Sequence, residues 1–202
     1  MHGLINRAVQ CFVRDIYGPD TWAELGAAVG VGTAGFEAML TYEDAVTTEL
    51  LNTLSRMRGQ PIEDILEDLG TYLVTHPNTG AIRRLLRFGG QSFQDLLYSL
   101  DDLPDRARLA VPELDFPALH LVELQPGRFK IVVRASEGGF GAVLTGILRA
   151  LADDYGALAF VELQGAMGPR EEIMIDLLDA DFSEAKQFYL GTALTQRQSD
   201  GR

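Results

Sequence analysis

The sequence has few of the residues and segments that mark secreted, disulfide-stabilised or membrane proteins. Cys11 is the single cysteine among 202 residues, which excludes an internal disulfide and a cysteine-based metal cluster. No apolar run approaches the roughly 20 residues that a membrane-spanning helix needs. The first residues also lack the basic and then apolar segments of a secretory signal peptide. We therefore expect a cytoplasmic protein.

Basic residues are scarce as well. The chain has 17 Lys and Arg against 29 Asp and Glu, which gives a formal net charge of −12. Binding to phosphate groups requires a local excess of positive charge, so neither nucleic acid nor an anionic membrane is an expected partner. Solubility is the ordinary role of such an acidic surface.

Catalytic motifs are missing from the sequence. It contains no phosphate-binding loop, no HExxH metal motif and no GxSxG nucleophile motif. The glycines of ASEGGFGA follow a predicted strand and indicate a tight strand-to-helix turn. The three histidines, His2, His76 and His120, are far apart in the sequence. We therefore expect that the chain is not an enzyme.

The apolar residues show helical spacing in the first half of the chain and mainly strand patterns in the second. Helices are predicted at 2–18, 19–30, 41–59, 60–76, 81–88 and 91–103. Two hairpins, at 116–136 and 158–178, flank one long helix at 139–156. This order predicts an α+β domain over residues 1–182 with a four-stranded antiparallel sheet. The helical part covers about 1–60, the remaining helices and the sheet cover 61–182, and 183–202 form a polar tail.

A proline stands where the helix at 91–103 should present its next inward side chain. Phe93, Leu96, Leu97 and Leu100 form one apolar stripe, and Pro104 follows four residues after Leu100. Proline lacks an amide proton and has a fixed φ angle, so the helix must end, kink or restart there.

Several blocks in order resemble the heme nitric oxide/oxygen binding (H-NOX) family, which includes the sensor domain of soluble guanylate cyclase. They include MHGLINRAVQCFVRDIYGPDTWAEL at the start, then PIEDILEDLG, LLRFGGQSFQDLLYSLDDL and VPELDFPAL, and the similarity extends over about residues 1–180. The resemblance implies N-terminal helices packed on an α+β part, with heme between the two.

The resemblance also implies a heme site, and this sequence departs from it at two places. In the family a histidine after a Leu-Asp motif binds the iron, whereas here Leu100-Asp101-Asp102-Leu103 precedes Pro104. A Tyr-x-Ser-x-Arg motif holds the heme propionates in the family. Its counterparts here are Val133, Ala135 and Glu137. A charge-assisted contact between arginine and a heme propionate would therefore be replaced by a contact between two carboxylates.

Other positions keep the character that the resemblance implies. Pro117 matches a proline that presses on the porphyrin. The wall of the distal pocket corresponds to four apolar residues, Ile5, Val9, Leu73 and Val143. None of them offers the tyrosine hydroxyl that oxygen-binding members use.

Three hypotheses follow. The first is a sensor or ligand-binding domain with degenerate or lost heme ligation that acts through a signalling partner, by analogy a histidine kinase or a cyclic-dinucleotide enzyme. The second is a true heme gas sensor in which His120 or His76 replaces the axial ligand. A domain that binds another apolar ligand is a variant of the first hypothesis. The third is a pure interaction protein that keeps the fold in order to dock a signalling partner. In the first and third cases heme is absent or weakly bound.

Overall fold

The computed structural model describes residues 1–32, 34–87, 89–165 and 167–183. The helices in these ranges are α1 (Gly3–Phe12), α2 (Pro19–Ala28), α3 (Asp44–Arg58), α4 (Ile62–Thr75), α5 (Gly80–Arg87), α6 (Phe93–Tyr98), α7 (Leu103–Ala110) and α8 (Phe140–Tyr155). The strands are β1 (Ala118–Gln125), β2 (Arg128–Arg134), β3 (Leu158–Gln164) and β4 (Arg170–Asp179). Apart from Ser183, the predicted polar tail at 183–202 lies outside the described residues. Across the described ranges, no helix combines the length and apolar character required to span a bilayer.

The first predicted helix has two parts. His2 caps α1, because its Nδ1 accepts a hydrogen bond from the backbone N–H of Leu4 at 3.2 Å. After α1, residues Val13–Tyr17 form a π-helix. Gly18, with φ at 95°, then turns the chain, and Pro19 opens α2 in the first-turn position that proline favours.

Pro104 begins a new helix, which corrects the predicted single helix at 91–103. Ser92 and Asp95 form a capping box at the start of α6, and a 3₁₀ turn at Leu100–Asp102 separates α6 from α7. Pro104 lies in the first turn of α7, where an amide proton would have no partner within the helix. Leu103–Ala110 are therefore helical, whereas the apolar pattern predicts a helix only as far as residue 103.

The two predicted hairpins are present and join into one antiparallel sheet of order β1-β2-β4-β3. Both edge strands are irregular. The register shifts between Glu123 and Gln125 in β1, and between Leu158 and Ala159 in β3. Helix α8 packs on one face of the sheet and buries the apolar residues of β2 and β4 that point inward.

The described residues form two hydrophobic cores that share α4 and α8. One core lies between the sheet, α8, α6 and α7, and the other lies among α1, α2, α3 and α4. Helices α4 and α8 touch at two glycines. A Cβ atom on Gly70 would collide with the carbonyl of Val143, and one on Gly146 would collide with the carbonyl of Glu67. Because α4 contributes to both cores, packing continues across the boundary near residue 60.

Candidate ligand-binding cleft

A cleft of about 520 Å³ lies between the first residues of α1, the segment before β1 and the turn from β2 to α8. The side chains and backbone that line it are Met1, His2, Ile5, Thr41, Asp44, Glu113, Asp115, Phe116, Pro117, Ala118, Arg134, Ala135, Ser136, Glu137 and Phe140. The cleft thus joins the N-terminal helix to the region where the resemblance places the propionate motif.

One wall of the cleft is apolar. Phe116 and Phe140 meet edge to face, with ring centroids 5.3 Å apart, and Pro117 is buried beside Phe116. Ile5 contributes from α1. Edge-to-face aromatic pairs are a favourable geometry, so this wall is a packed surface.

The remaining lining carries more negative than positive charge. The acidic residues are Asp44, Glu113, Asp115 and Glu137. Arg134 and the N-terminal amine supply the positive charge, and the amine is already hydrogen-bonded and ion-paired to Asp44. Ser136 donates to Asp115 at 3.2 Å, so its hydroxyl is engaged as well. Such a lining disfavours a ligand with two carboxylates.

The structure brings together four of the residues named from the sequence. Ile5, Pro117, Ala135 and Glu137 line the cleft. Val133 does not, because its side chain is only 1% exposed in the core between the sheet and α8.

The other predicted site residues lie elsewhere. Pro104 is half-buried and is not among the lining residues. The side chain of the neighbouring Leu103 packs into the core between the sheet and α8. Val9 is buried in the helical core. Leu73 and Val143 pack where the two cores meet.

Neither predicted substitute histidine lines the cleft. His120 is exposed on β1, with its Nδ1 3.7 Å from the carboxylate of Asp101. His76 ends α4, stacks on Tyr72 at 4.8 Å and lies 3.6 Å from the carboxylate of Asp15.

His2 lines the cleft and was not singled out by the sequence. Its side chain is buried, and its Nε2 has no hydrogen-bond partner. Its Nδ1 accepts from Leu4, so in the neutral ring the proton is on Nε2. In this tautomer His2 can donate from Nε2, whereas metal binding there needs a lone pair. The sequence signal that could have indicated its role was its position just before a helix.

Glu171 is a second residue that the sequence reasoning missed. Its carboxylate is buried at the N-terminus of α8 and accepts from the backbone N–H groups of Gly139 at 2.8 Å, Gly141 at 2.6 Å and Gly168 at 3.3 Å. Helix N-termini attract anions. Here the carboxylate of Glu171 already accepts hydrogen bonds from the backbone N–H groups at the N-terminus of α8, which lies beside the cleft.

A comparison with protein families decides the relationship. The model of the Haem-NO-binding family matches residues 2–162. The chain belongs to the Haem-NO-binding (H-NOX) family. Its members are sensor domains that bind heme and are not themselves catalytic.

Known proteins and structures agree with this assignment. Soluble guanylate cyclase gcy-31 of Caenorhabditis elegans is 22% identical over 181 residues, which is 90% of this chain and 24% of the relative. Soluble guanylate cyclase 89Da of Drosophila melanogaster is 23% identical over 155 residues, which is 77% of this chain and 23% of the relative. The chain therefore spans about a quarter of the length of these relatives.

Solved H-NOX structures share the fold. An H-NOX protein from S. oneidensis in the Fe(II)NO state aligns with a TM-score of 0.73 and 15% identity, covering 89% of this chain and 100% of that one. An unliganded Fe(II) H-NOX variant from K. algicida aligns with a TM-score of 0.70 and 15% identity, covering 89% of this chain and 97% of that one. The α+β architecture expected from the sequence is thereby confirmed.

The cleft of this H-NOX domain fits the family cofactor poorly. His2 is the histidine that lines the cleft, and its Nδ1 already accepts a hydrogen bond. The negatively charged heme propionates would meet a lining with four carboxylates. Its positive groups are Arg134 and the N-terminal amine, which is already paired with Asp44.

Proposed function

We propose that this H-NOX domain is a sensor or ligand-binding signalling domain in which heme ligation is degenerate or lost, and that it acts through a partner. The observation that carries the proposal is Pro104. By the resemblance, it takes the place of the family's iron-binding histidine, and a proline ring in the first turn of α7 offers no lone pair to iron.

The charge of the cleft supports the same proposal independently. Glu137 stands where the family has the propionate-binding arginine, and it faces the cleft together with Asp44, Glu113 and Asp115. Losing either the iron ligand or the propionate clamp could be offset by the other. With both lost, mainly apolar contacts would hold the macrocycle.

A partner or a further domain would supply the output. The guanylate cyclase relatives are about four times longer than the region they share with this chain. A histidine kinase or a cyclic-dinucleotide enzyme in the cytoplasm is the partner that family analogy favours. The axial-ligand alternative is less well supported, because His76 and His120 lie outside the cleft lining.

Heme content tests the proposal. Protein expressed in cells supplied with a heme precursor is purified beside the S. oneidensis H-NOX protein, and heme per chain is measured from the Soret band. We expect far less than one heme per chain, because both anchors are missing. A sharp Soret band with one heme per chain would contradict the proposal.

Restoring the anchors provides the converse experiment. Pro104→His should raise heme affinity, and adding Ala135→Ser and Glu137→Arg should raise it further. Val133→Tyr is added last, since Val133 is packed in the core. Pro19→His is the matched control, because Pro19 also lies in the first turn of a helix but has no counterpart among the heme-site positions that the resemblance implies. A folded fourfold variant that binds no more heme than Pro19→His would refute the positions that the resemblance assigns to the heme site.

A further inference from the structure

A second cavity, of about 460 Å³, lies between α1 and the end of α4, and we call it the α1 groove. Its walls are mainly apolar, with Leu4, Ala8 and Cys11 on α1 and Leu73 on α4. Cavities of this size accommodate small organic ligands.

The α1 groove carries positive charge in a strongly acidic protein. Arg7 and Arg14 both line it. The guanidinium of Arg14 forms no hydrogen bond or close ion pair with any described residue, although its charge acts on the carboxylate of Asp15. Arg7 donates one hydrogen bond to the carbonyl of Phe36 at 3.3 Å. Although the chain has a net charge of −12, these two arginines give the groove positive charge.

One carboxylate, that of Asp15, also lines the groove, and it is already held by neighbouring groups. It accepts from the hydroxyl of Tyr72 at 2.7 Å and from the side-chain amide of Asn78 at 3.2 Å, and His76 lies 3.6 Å away. The Tyr72 hydrogen bond lowers the pKa of Asp15, so the carboxylate is ionised at neutral pH. The two arginines still leave a positive balance in the groove, with Arg14 available to a ligand.

We propose that the α1 groove binds a free single-chain carboxylate of the fatty-acid class. The acyl chain would lie on Leu4, Ala8 and Leu73, and the carboxylate would accept hydrogen bonds from Arg14. The groove and the cleft share no lining residue, so this proposal goes beyond the proposed function. Leu73, which the resemblance places in the distal heme wall, is the residue that a heme and this ligand would both contact.

Cys11 gives a direct test because it is the single cysteine of the sequence and lines the groove. The rate of iodoacetamide labelling is followed by mass spectrometry while laurate is added below its micellar concentration. At ten times the dissociation constant, labelling should slow about tenfold, since only the free fraction reacts. Labelling that stays unchanged up to the solubility limit of laurate overturns the proposal.

Two sets of controls isolate recognition of the carboxylate. Dodecanol and dodecylamine have the same chain length and should protect Cys11 weakly. Vesicles of anionic phospholipid should not protect it. Equal protection by dodecanol, or protection by vesicles alone, overturns the proposal.

Variants complete the test. Arg14→Gln should raise the laurate concentration for half-protection about tenfold, because one charge-assisted hydrogen bond is lost, and Arg14→Lys should recover part of the loss. Arg108→Gln is the matched control, since Arg108 is exposed on α7, pairs with Asp105 and does not line the groove. If Arg14→Gln and Arg108→Gln need the same laurate concentration for half-protection of Cys11, the proposal is overturned.

Discussion

At the scale of single residues, β4 places two neighbouring glutamates in opposite environments. Glu171 points into the protein and is 2% exposed, with its carboxylate on the amide groups that begin α8. Glu172 points to the other face of the sheet, where it pairs with Arg170 and Lys130. The buried carboxylate therefore fixes the turn that forms one side of the cleft.

Replacing Glu171 with glutamine should destabilise the protein. Glu171→Gln would bring an amide donor toward backbone N–H groups and remove charge-assisted hydrogen bonds, at a cost of about 2 kcal/mol, or about 4–8 °C in Tm for a chain of this size. Glu172→Gln is the control and should change stability by about 0.5 kcal/mol or less. Thermal unfolding followed by circular dichroism measures both, and equal effects would show that the cap contributes little.

Some of the residues that the resemblance places at a ligand site line the cleft, and their role there stays a prediction. The sequence did not indicate the part played by Glu171 beside it. Ile5, Pro117, Ala135 and Glu137 were placed by resemblance, and the structure brings them together. Glu171 occupies an inward strand position, where alternation alone predicts an apolar residue. Its role depends on a helix end thirty residues earlier, a contact that local pattern does not contain.

At the scale of elements, α4 and α8 are held at backbone contact by Gly70 and Gly146. Helical periodicity predicted both helices because it reports which face is buried. It did not predict how closely they cross, since that depends on the absence of side chains at two distant positions. A new helix at Pro104 was one of the three outcomes that the sequence allowed. The pattern could not select it, because proline is compatible with the first turn of a helix as well as with a helix end.

Adding one methyl group at the crossing should separate the two helices. The Cβ of Gly146→Ala would overlap the carbonyl of Glu67, so we expect a loss of about 3 kcal/mol in the free energy of unfolding. Gly80→Ala is the control, because its Cβ would meet nothing nearer than Arg84 at 3.6 Å and its backbone is helical. That substitution should be neutral or stabilise by up to about 1 kcal/mol. Urea denaturation compares the two, and a neutral Gly146→Ala would show that the crossing can relax.

At the scale of the whole molecule, the two cores are joined through shared helices. Residues of α4 enter both cores, and Leu73, Val143 and Leu163 pack against each of them. Neither core can lose α4 without exposing apolar surface in the other. The described residues therefore form one packed unit with two centres.

This packing predicts a single unfolding transition. Trp22 is the one tryptophan of the sequence and is 3% exposed in the helical core, so its fluorescence reports on that core. Far-UV circular dichroism reports on all helices and strands. The two urea midpoints should coincide, and Trp22→Phe confirms the source of the fluorescence. An earlier fluorescence midpoint would mean that the helical core unfolds separately.

The register shifts in β1 and β3 have a consequence for the behaviour of concentrated solutions. Within the described residues, both strands are paired with another strand on one side only, so a second molecule could add a strand at the other side. Each outer edge is partly covered, because Asp101 accepts from the N–H of Leu121 and Arg149 donates to the carbonyl of Val161. Phe160 is exposed on β3 and would favour such pairing. The irregularities at Glu123/Gln125 and Leu158/Ala159 interrupt the hydrogen-bonding ladder, and the exposed Glu123 and Glu162 place like charges where identical edges would meet. These features oppose growth of the sheet from one copy of the chain to the next.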